Sequence, residues 1–411
     1  MALLLTSLIQ MTFLSLGDNS KEIFMAIHDD VLNTVSLEFS ALAREKSSGG
    51  EKIISLGLGE PGFDTPSAVI DAATKSMKKG ENRYSSPLGL LSLRTAIQSN
   101  LNERYKLQLD LSEKVIVTSG AKQALSLALI SILEPQDEII VLMPSFVSFI
   151  PQVLLAERKV KIITFDLDQN FGLDIDKLEQ IVTHKTAAIL VNFPNNPTGA
   201  VLDKFSMERL VSICRKFGTY IVSDEIYSQM NFETEFNSFY SFLPKYDRIF
   251  VIDGFSKAYS MTGWRIGYLI GPKSQIKRIS SVQQHTQTNI PVFIQRGAEA
   301  ALTLGNKVVT EYIELLHYNL VFLEKALSTS DRLAFSPPRG GMFAFIDVRK
   351  ICFSSDKFCF DLLQATSVAA TPGIIFGSSF EGYIRVSIGG DSDEFREGIM
   401  RLVKFIEGYD G

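Results

Sequence analysis

The chain has 411 residues, with 41 Lys and Arg against 46 Asp and Glu and a formal net charge of -5. A mildly acidic chain without a basic tract is a poor nucleic-acid binder, because that role needs clustered cations to displace counterions from phosphates. Three scattered cysteines and four isolated histidines form neither a disulfide framework nor a metal-ligand spacing. At 45% apolar and 21% charged residues, the composition is that of a folded protein of two or three domains. The expectation is a cytoplasmic enzyme or binding protein.

Residues 2–16 are apolar but interrupted by Thr6, Ser7, Gln10, Thr12 and Ser15, and no Lys or Arg precedes Lys21. The run is too short for a membrane span and lacks the basic flank of a signal peptide. It reads as an N-terminal arm or an over-extended start, with Met11 as a candidate start and export as the alternative. The first strand is predicted at 52–56, followed by Gly57-Leu58-Gly59-Glu60-Pro61-Gly62. That is a literal GxGxxG, but Pro61 removes a backbone donor and Pro66 follows closely, so no helix opens where a pyrophosphate would sit. A glycine-rich turn leaving a strand is the better reading.

Further strands are predicted at 115–118, 138–142, 161–165, 187–192, 220–223, 249–252 and 266–270, with helices such as 120–133 and 204–216 between them. Continuous apolar runs of this kind suit strands covered on both faces of a mostly parallel sheet. Several strand ends then carry a segment of interest. Thr118-Ser119-Gly120-Ala121-Lys122 places small residues at a helix N-terminus, where free backbone N–H groups can hold a phosphate. Phe146 follows Pro144-Ser145 and is either core or a stacking platform for a planar ring. Asn192-Phe193-Pro194-Asn195-Asn196-Pro197-Thr198-Gly199 is turn chemistry. In it Asn196 could donate to a ring oxygen and the Asn196–Pro197 bond could be cis.

Asp224 ends a buried strand, an expensive place for a carboxylate unless it is paired. It is either the N-cap of a helix or the partner of a protonated pyridine nitrogen, with Tyr227 reaching the ring's phenolic oxygen. Gly254-Phe255-Ser256-Lys257 follows the next strand, and Arg265 lies eight positions after Lys257. A lysine among aromatic and small residues can be kept partly neutral and form a Schiff base, and Ser256 and Arg265 can contact a phosphate. From about 291 the pattern changes to long helices over 292–327 and short strands near 342–347 and 383–388. Arg385 interrupts the last strand, either as an edge residue or as a bidentate partner for a carboxylate. The expected division is 1–59 as arm and part of a small domain, 60–290 as a large domain and 291–411 as the rest of the small domain.

These segments, in this order, resemble the fold-type-I pyridoxal-phosphate enzymes, specifically the class I/II aminotransferases of the aromatic, aspartate and broad-specificity subgroup. The resemblance implies an α/β fold, with a three-layer α/β/α large domain on a mostly parallel sheet plus a smaller α+β domain. It implies Lys257 as the Schiff-base lysine, Asp224 on the pyridinium nitrogen, Asn196 and Tyr227 on the ring oxygen and Phe146 stacked on the ring. Gly120, Ala121, Lys122, Ser256 and Arg265 would surround the phosphate. Arg385, assisted by Gly59 and Asn196, would bind the substrate carboxylate. Tyr84 would reach the phosphate of the other subunit of a homodimer with shared sites. Two departures stand out: Gly254 where many relatives have serine, and Ser145-Phe146 where many have an aromatic residue and tryptophan.

The implied reaction moves an amino group from an L-amino acid, aromatic or broad in range and including aspartate as a candidate, to a 2-oxo acid by ping-pong kinetics. The rivals are a β-lyase acting on carbon–sulfur bonds with the same cofactor, and a non-catalytic regulator. Regulators of this kind carry a DNA-binding module, and the roughly 50 residues before Gly57 contain no basic recognition helix. Arg83 and Arg339 are candidate second cations for a dicarboxylate, though surface positions suit both.

Overall fold

The computed structural model describes Gly50 and residues 52–409, apart from 158, 169, 233–235 and 306. The expectations about residues 1–20 and Met11 lie outside the described residues. Among the described residues no helix is long and apolar enough to cross a membrane.

The strands, in chain order, are β1 (Ile54–Ser55), β2 (Val115–Thr118), β3 (Glu138–Met143), β4 (Lys161–Asp166), β5 (Thr186–Asn192), β6 (Tyr220–Asp224) and β7 (Ile249–Gly254). They continue as β8 (Gly267–Ile270), β9 (Ala334–Phe335), β10 (Phe343–Asp347), β11 (Val368–Ala369), β12 (Thr371–Pro372) and β13 (Tyr383–Ser387). Seven of them form one sheet in the order β2-β8-β7-β6-β5-β3-β4. Only β8 runs antiparallel to its neighbours. Val115, Ile116, Ile139, Ile140, Ile189, Ile221 and Ile249 are wholly buried along it, as strands with both faces covered by helices require.

The covering helices form for local reasons. In Lys204–Phe217, Asp203 accepts from the backbone N–H of Ser206 at 2.8 Å, Met207, Leu210, Val211 and Cys214 line one buried stripe, and Gly218 ends the helix at φ +75°. The cap contributes about 1 kcal/mol, and each fully buried Leu or Val about 1.5–3 kcal/mol.

A second core lies around the four-stranded sheet β12-β13-β10-β9. β1 pairs in parallel with β11 beside it, so the start of the described chain packs with its C-terminal part. The strand expected over 52–56 is only two residues long, because the chain then leaves the ladder through Gly57. No helix follows the GxGxxG until Ser67–Lys78, which rules out the dinucleotide reading. Helix Val292–Thr303 contributes Ala298 and Ala301 to the large core, whereas Tyr312, Leu316 and Leu323 of Lys307–Leu327 belong to the second. We propose that the division between the two units falls near 304–309.

Candidate active site

Parallel strands deliver their carboxyl ends to one edge of the sheet, and ligands bind beyond that edge. Here the edge receives Gly120 after β2, Phe146 after β3, Asn196 after β5, Asp224 at the end of β6 and Lys257 after β7. β8 runs the other way, so Arg265, just before it, arrives at the same edge. The register aligns Asn192 with Asp224, Thr118 with Gly267 and Gly267 with Gly254.

Lys257 is partly buried and its Nζ donates to the Gly59 carbonyl at 2.5 Å. Burial pushes its amine down to about 8, the charge of Glu60 raises it, Arg385 and Arg265 lower it further, and Asp224 raises it. The amine is thus much more available as a nucleophile and base than an ordinary lysine.

Asp224 is buried, and that burial pushes its carboxyl up to about 7. Its Oδ1 accepts from the Ile226 N–H at 3.2 Å across a turn, and no helix starts there. The N-cap alternative therefore fails, and a buried carboxyl is left that a neighbouring cation would stabilise as the anion. Asn192, at the end of β5, donates from Nδ2 to the Asp224 carbonyl at 2.9 Å and accepts from the Asn196 N–H at 2.9 Å. One side chain thereby ties the Asn196 turn to β6. The Asn196 side chain bonds to Tyr227 and accepts from Arg385 Nη1 at 2.9 Å. The cis bonds of this region are Phe193–Pro194 and Met143–Pro144, not the expected Asn196–Pro197. An X–Pro bond has only a small trans preference, so the surrounding fold decides which one is cis.

The corner where the chain leaves β2 is equally constrained. Gly120 opens the helix Gly120–Ile132 at φ +76°, and a Cβ there would lie 2.8 Å from an Arg265 nitrogen. Only glycine leaves this corner open between a helix N-terminus and a guanidinium. Ala121 is pressed close behind, since a Cβ at Gly267 would meet its backbone nitrogen at 2.9 Å. Ser256 is buried, whereas Arg265 is exposed and donates from Nη1 to the Thr262 carbonyl at 2.9 Å. Lys122 Nζ lies 5.4 Å from the centroid of the half-buried Phe146 ring. Gly254 stands where a serine Cβ would meet the Gly267 Cα at 3.0 Å, so backbone closeness accounts for that departure.

Arg385 is buried, with its guanidinium carbon 4.1 Å from the Phe343 centroid and 5.1 Å from that of Phe376. Its Nη2 donates to the Gly57 carbonyl at 2.7 Å. Gly59 stands two residues on, its carbonyl on Lys257. Burial lowers the guanidinium to about 10, and it stays charged at neutral pH. Tyr84 lies apart from this cluster in exposure, at 87%, and Arg83 and Arg339 are also exposed.

A buried amine, a buried carboxyl, an amide and phenol together, a glycine-lined helix N-terminus beside an arginine, and a second buried arginine form a donor set that fits pyridoxal phosphate and an amino acid. The family model for aminotransferase class I and II matches residues 51–402. The chain belongs to that family. The aminotransferase resembles the aspartate aminotransferase of Thermotoga maritima, at 36% identity over 90% of this chain and 96% of the relative. Aromatic-amino-acid aminotransferase 2 of Thermococcus litoralis is 32% identical over 88% of this chain and 93% of its own. The crystal structure of the Thermotoga maritima aspartate aminotransferase superposes with a TM-score of 0.85 at 35% identity, covering 91% of this chain and 97% of that one. The protein is a pyridoxal-phosphate-dependent amino acid aminotransferase of the fold-type-I class.

Several residues escaped the sequence reading. Asn192 and Asp253 are polar residues at the ends of buried strands, the same signal that singled out Asp224. Asp253 accepts from Ser228 at 3.0 Å, and Arg104 donates to that same Ser228 hydroxyl at 3.0 Å, fixing the turn that carries Tyr227. Phe343 and Phe376, among 29 phenylalanines, carry no signal that sets them apart.

Proposed function

We propose that the aminotransferase takes its amino group from aspartate or an aromatic amino acid and passes it to a 2-oxo acid, with broad rather than single-substrate specificity. The observation that carries this reading is Arg385, buried between two phenyl rings with its Nη1 on Asn196. A carboxylate is the partner such a site favours, since an unpaired buried cation is costly. Both amino acids and oxo acids bring one. Relatives named for aspartate and for aromatic amino acids support the breadth.

When bound, pyridoxal phosphate supplies an electron sink for the pair released at the substrate Cα. Asp224 would hold the proton on the ring nitrogen, and Asn196 and Tyr227 would hydrogen-bond the ring oxygen. Phe146 would cover one ring face. Gly120, Ala121, Lys122, Ser256 and Arg265 would hold the phosphate, joined by Tyr84 from a second subunit of a homodimer. Lys257 would anchor the cofactor, then take the substrate's Cα proton and deliver a proton to the cofactor's carbon beyond the amino nitrogen, with Gly59 and Asn196 helping Arg385 seat the carboxylate. We place the enzyme in the cytoplasm, a reading that three free cysteines support.

The test is to add single amino acids, without oxo acid, to the loaded enzyme and follow its visible absorption. Conversion of the band by phenylalanine or aspartate, with the matching oxo acid released, is the expected result. A band that persists while a sulfur-bearing amino acid such as cystathionine yields pyruvate, ammonia and a thiol would make the enzyme a lyase instead.

A further inference from the structure

Thr371 lies on β12 directly opposite Arg385 in the antiparallel ladder and is buried. Its hydroxyl donates to the Gly57 carbonyl at 3.2 Å and accepts from Arg385 Nη2 at 3.3 Å. The same Nη2 donates to that Gly57 carbonyl at 2.7 Å. The three groups close a triangle in which the hydroxyl commits its proton to the backbone and its lone pair to the cation. A Cβ at 57 would crowd this corner, lying 2.8 Å from Thr371 Oγ1 and 3.3 Å from the Ala370 carbonyl carbon, so a larger residue there would displace the hydroxyl. Two residues on, the Gly59 carbonyl meets Lys257. The opposite end of the guanidinium is fixed by Asn196, and its Nε is buried with no hydrogen-bond partner among the described residues.

We infer that Thr371 is a positioning residue for carboxylate recognition: its hydroxyl sets the rotation of the Arg385 guanidinium and ties the Gly57–Gly59 segment to it. The inference rests on the reading of Arg385 as the partner of the substrate carboxylate. Two acceptors alone would hold the plane less firmly, because Arg385 could tilt about the Asn196 and Gly57 contacts between its flanking rings. With the hydroxyl as a third acceptor, the guanidinium plane is set before a substrate arrives, and the cost of ordering it does not fall on binding.

The experiment uses the cofactor-loaded enzyme with 2-methylaspartate and 2-methylphenylalanine, which bind but carry no Cα proton to lose. Phenethylamine, which has no carboxylate, is the control. Affinities come from the change in cofactor absorption, alongside KM and kcat for the matching amino acid and oxo acid. Thr371→Val keeps the shape and removes the hydrogen bonds. It is expected to weaken both methylated amino acids about three- to tenfold, to raise KM for amino and oxo acids alike with kcat nearly held, and to leave phenethylamine unchanged. Thr371→Ser restores the wild-type values. Equal weakening of phenethylamine, or a Thr371→Ser enzyme as weak as Thr371→Val, overturns the inference, because shape and not the hydroxyl would then be operative. Wild-type affinity in Thr371→Val combined with loss in Arg385→Lys overturns the role of Thr371 alone. Full affinity in Arg385→Lys overturns the carboxylate reading itself.

Discussion

The Lys257 amine donates to the Gly59 carbonyl at 2.5 Å, across 198 residues of sequence. This contact joins the loop after β7 to the segment that leaves β1, and so brings the two cores together at the candidate site. It also fixes where the amine waits. If Lys257 is the covalent anchor, borohydride treatment of the loaded enzyme fixes one cofactor mass on the peptide containing Lys257. Lys257→Ala then shows no label and no measurable turnover. A labelled Lys257→Ala protein, or one that turns over normally, would sink the assignment.

Lys257 is held near 8 chiefly by burial, so it loses its proton as pH rises through that value rather than through the ordinary 10.5. Only the neutral amine attacks an aldehyde. The rate at which apoenzyme captures pyridoxal phosphate should therefore climb up to about pH 8 and level off above it, measured by stopped-flow absorption. A rate still climbing past pH 10 would mean that the amine is not perturbed.

Asp224 is raised from 3.8 to about 7, chiefly by burial. The folded apoprotein therefore keeps a proton there that the unfolded chain has already released, and this favours folding at low pH. The contribution fades as pH rises from about 4 through 7, and above that range a charge is buried with only the nearby, increasingly neutral Lys257 to offset it. Asp224→Asn should raise the apoprotein Tm at pH 8 relative to wild type, with a smaller or absent gain at pH 5, while turnover falls by orders of magnitude. Equal Tm changes at the two pH values would show that the carboxyl does not titrate as stated.

Gly254 occupies the position where many relatives have serine, and its register partner is Gly267. A Cβ there meets Gly267 Cα at 3.0 Å and the Ile266 carbonyl at 3.1 Å. Gly254→Ser is expected to cost on the order of 1–3 kcal/mol by overpacking, seen as a lower denaturation midpoint, with no gain in cofactor affinity. Tighter cofactor binding at unchanged stability would contradict this.

Tyr84 is 87% exposed on its own chain, as a residue reaching into a partner's site would be. Tyr84→Ala and Lys257→Ala, each impaired alone, should recover activity when unfolded together and refolded as a mixture. Each hybrid dimer then contains one site with both native residues. A mixture no more active than its parents would place Tyr84 outside the neighbouring site.

Much of this protein can be read from its sequence because its chemistry sits at strand ends. A buried strand announces itself by a run of Val, Ile and Leu, and any polar residue that ends such a run has to be there for a reason. That logic reached Asp224, and with Asn192 and Asp253 it could have gone further; Arg385 stood out by interrupting its strand, Lys257 and Asn196 by the segments that follow theirs, and the roles of all three came from the family resemblance. The alternation of strands and helices likewise implied the parallel sheet. Contacts between distant segments were decided only by the tertiary structure. Which proline is cis, why Gly254 is glycine, and which of 29 phenylalanines flank Arg385 depend on neighbours tens to hundreds of residues away. Thr371 looks like any threonine in a short strand until β12 and β13 pair. The register then sets its hydroxyl against a guanidinium and a backbone carbonyl 314 residues earlier in the chain. Hydrophobic periodicity is local and survives in the sequence, whereas hydrogen-bond partnership depends on distances of about 3 Å, which exist only once the chain has folded.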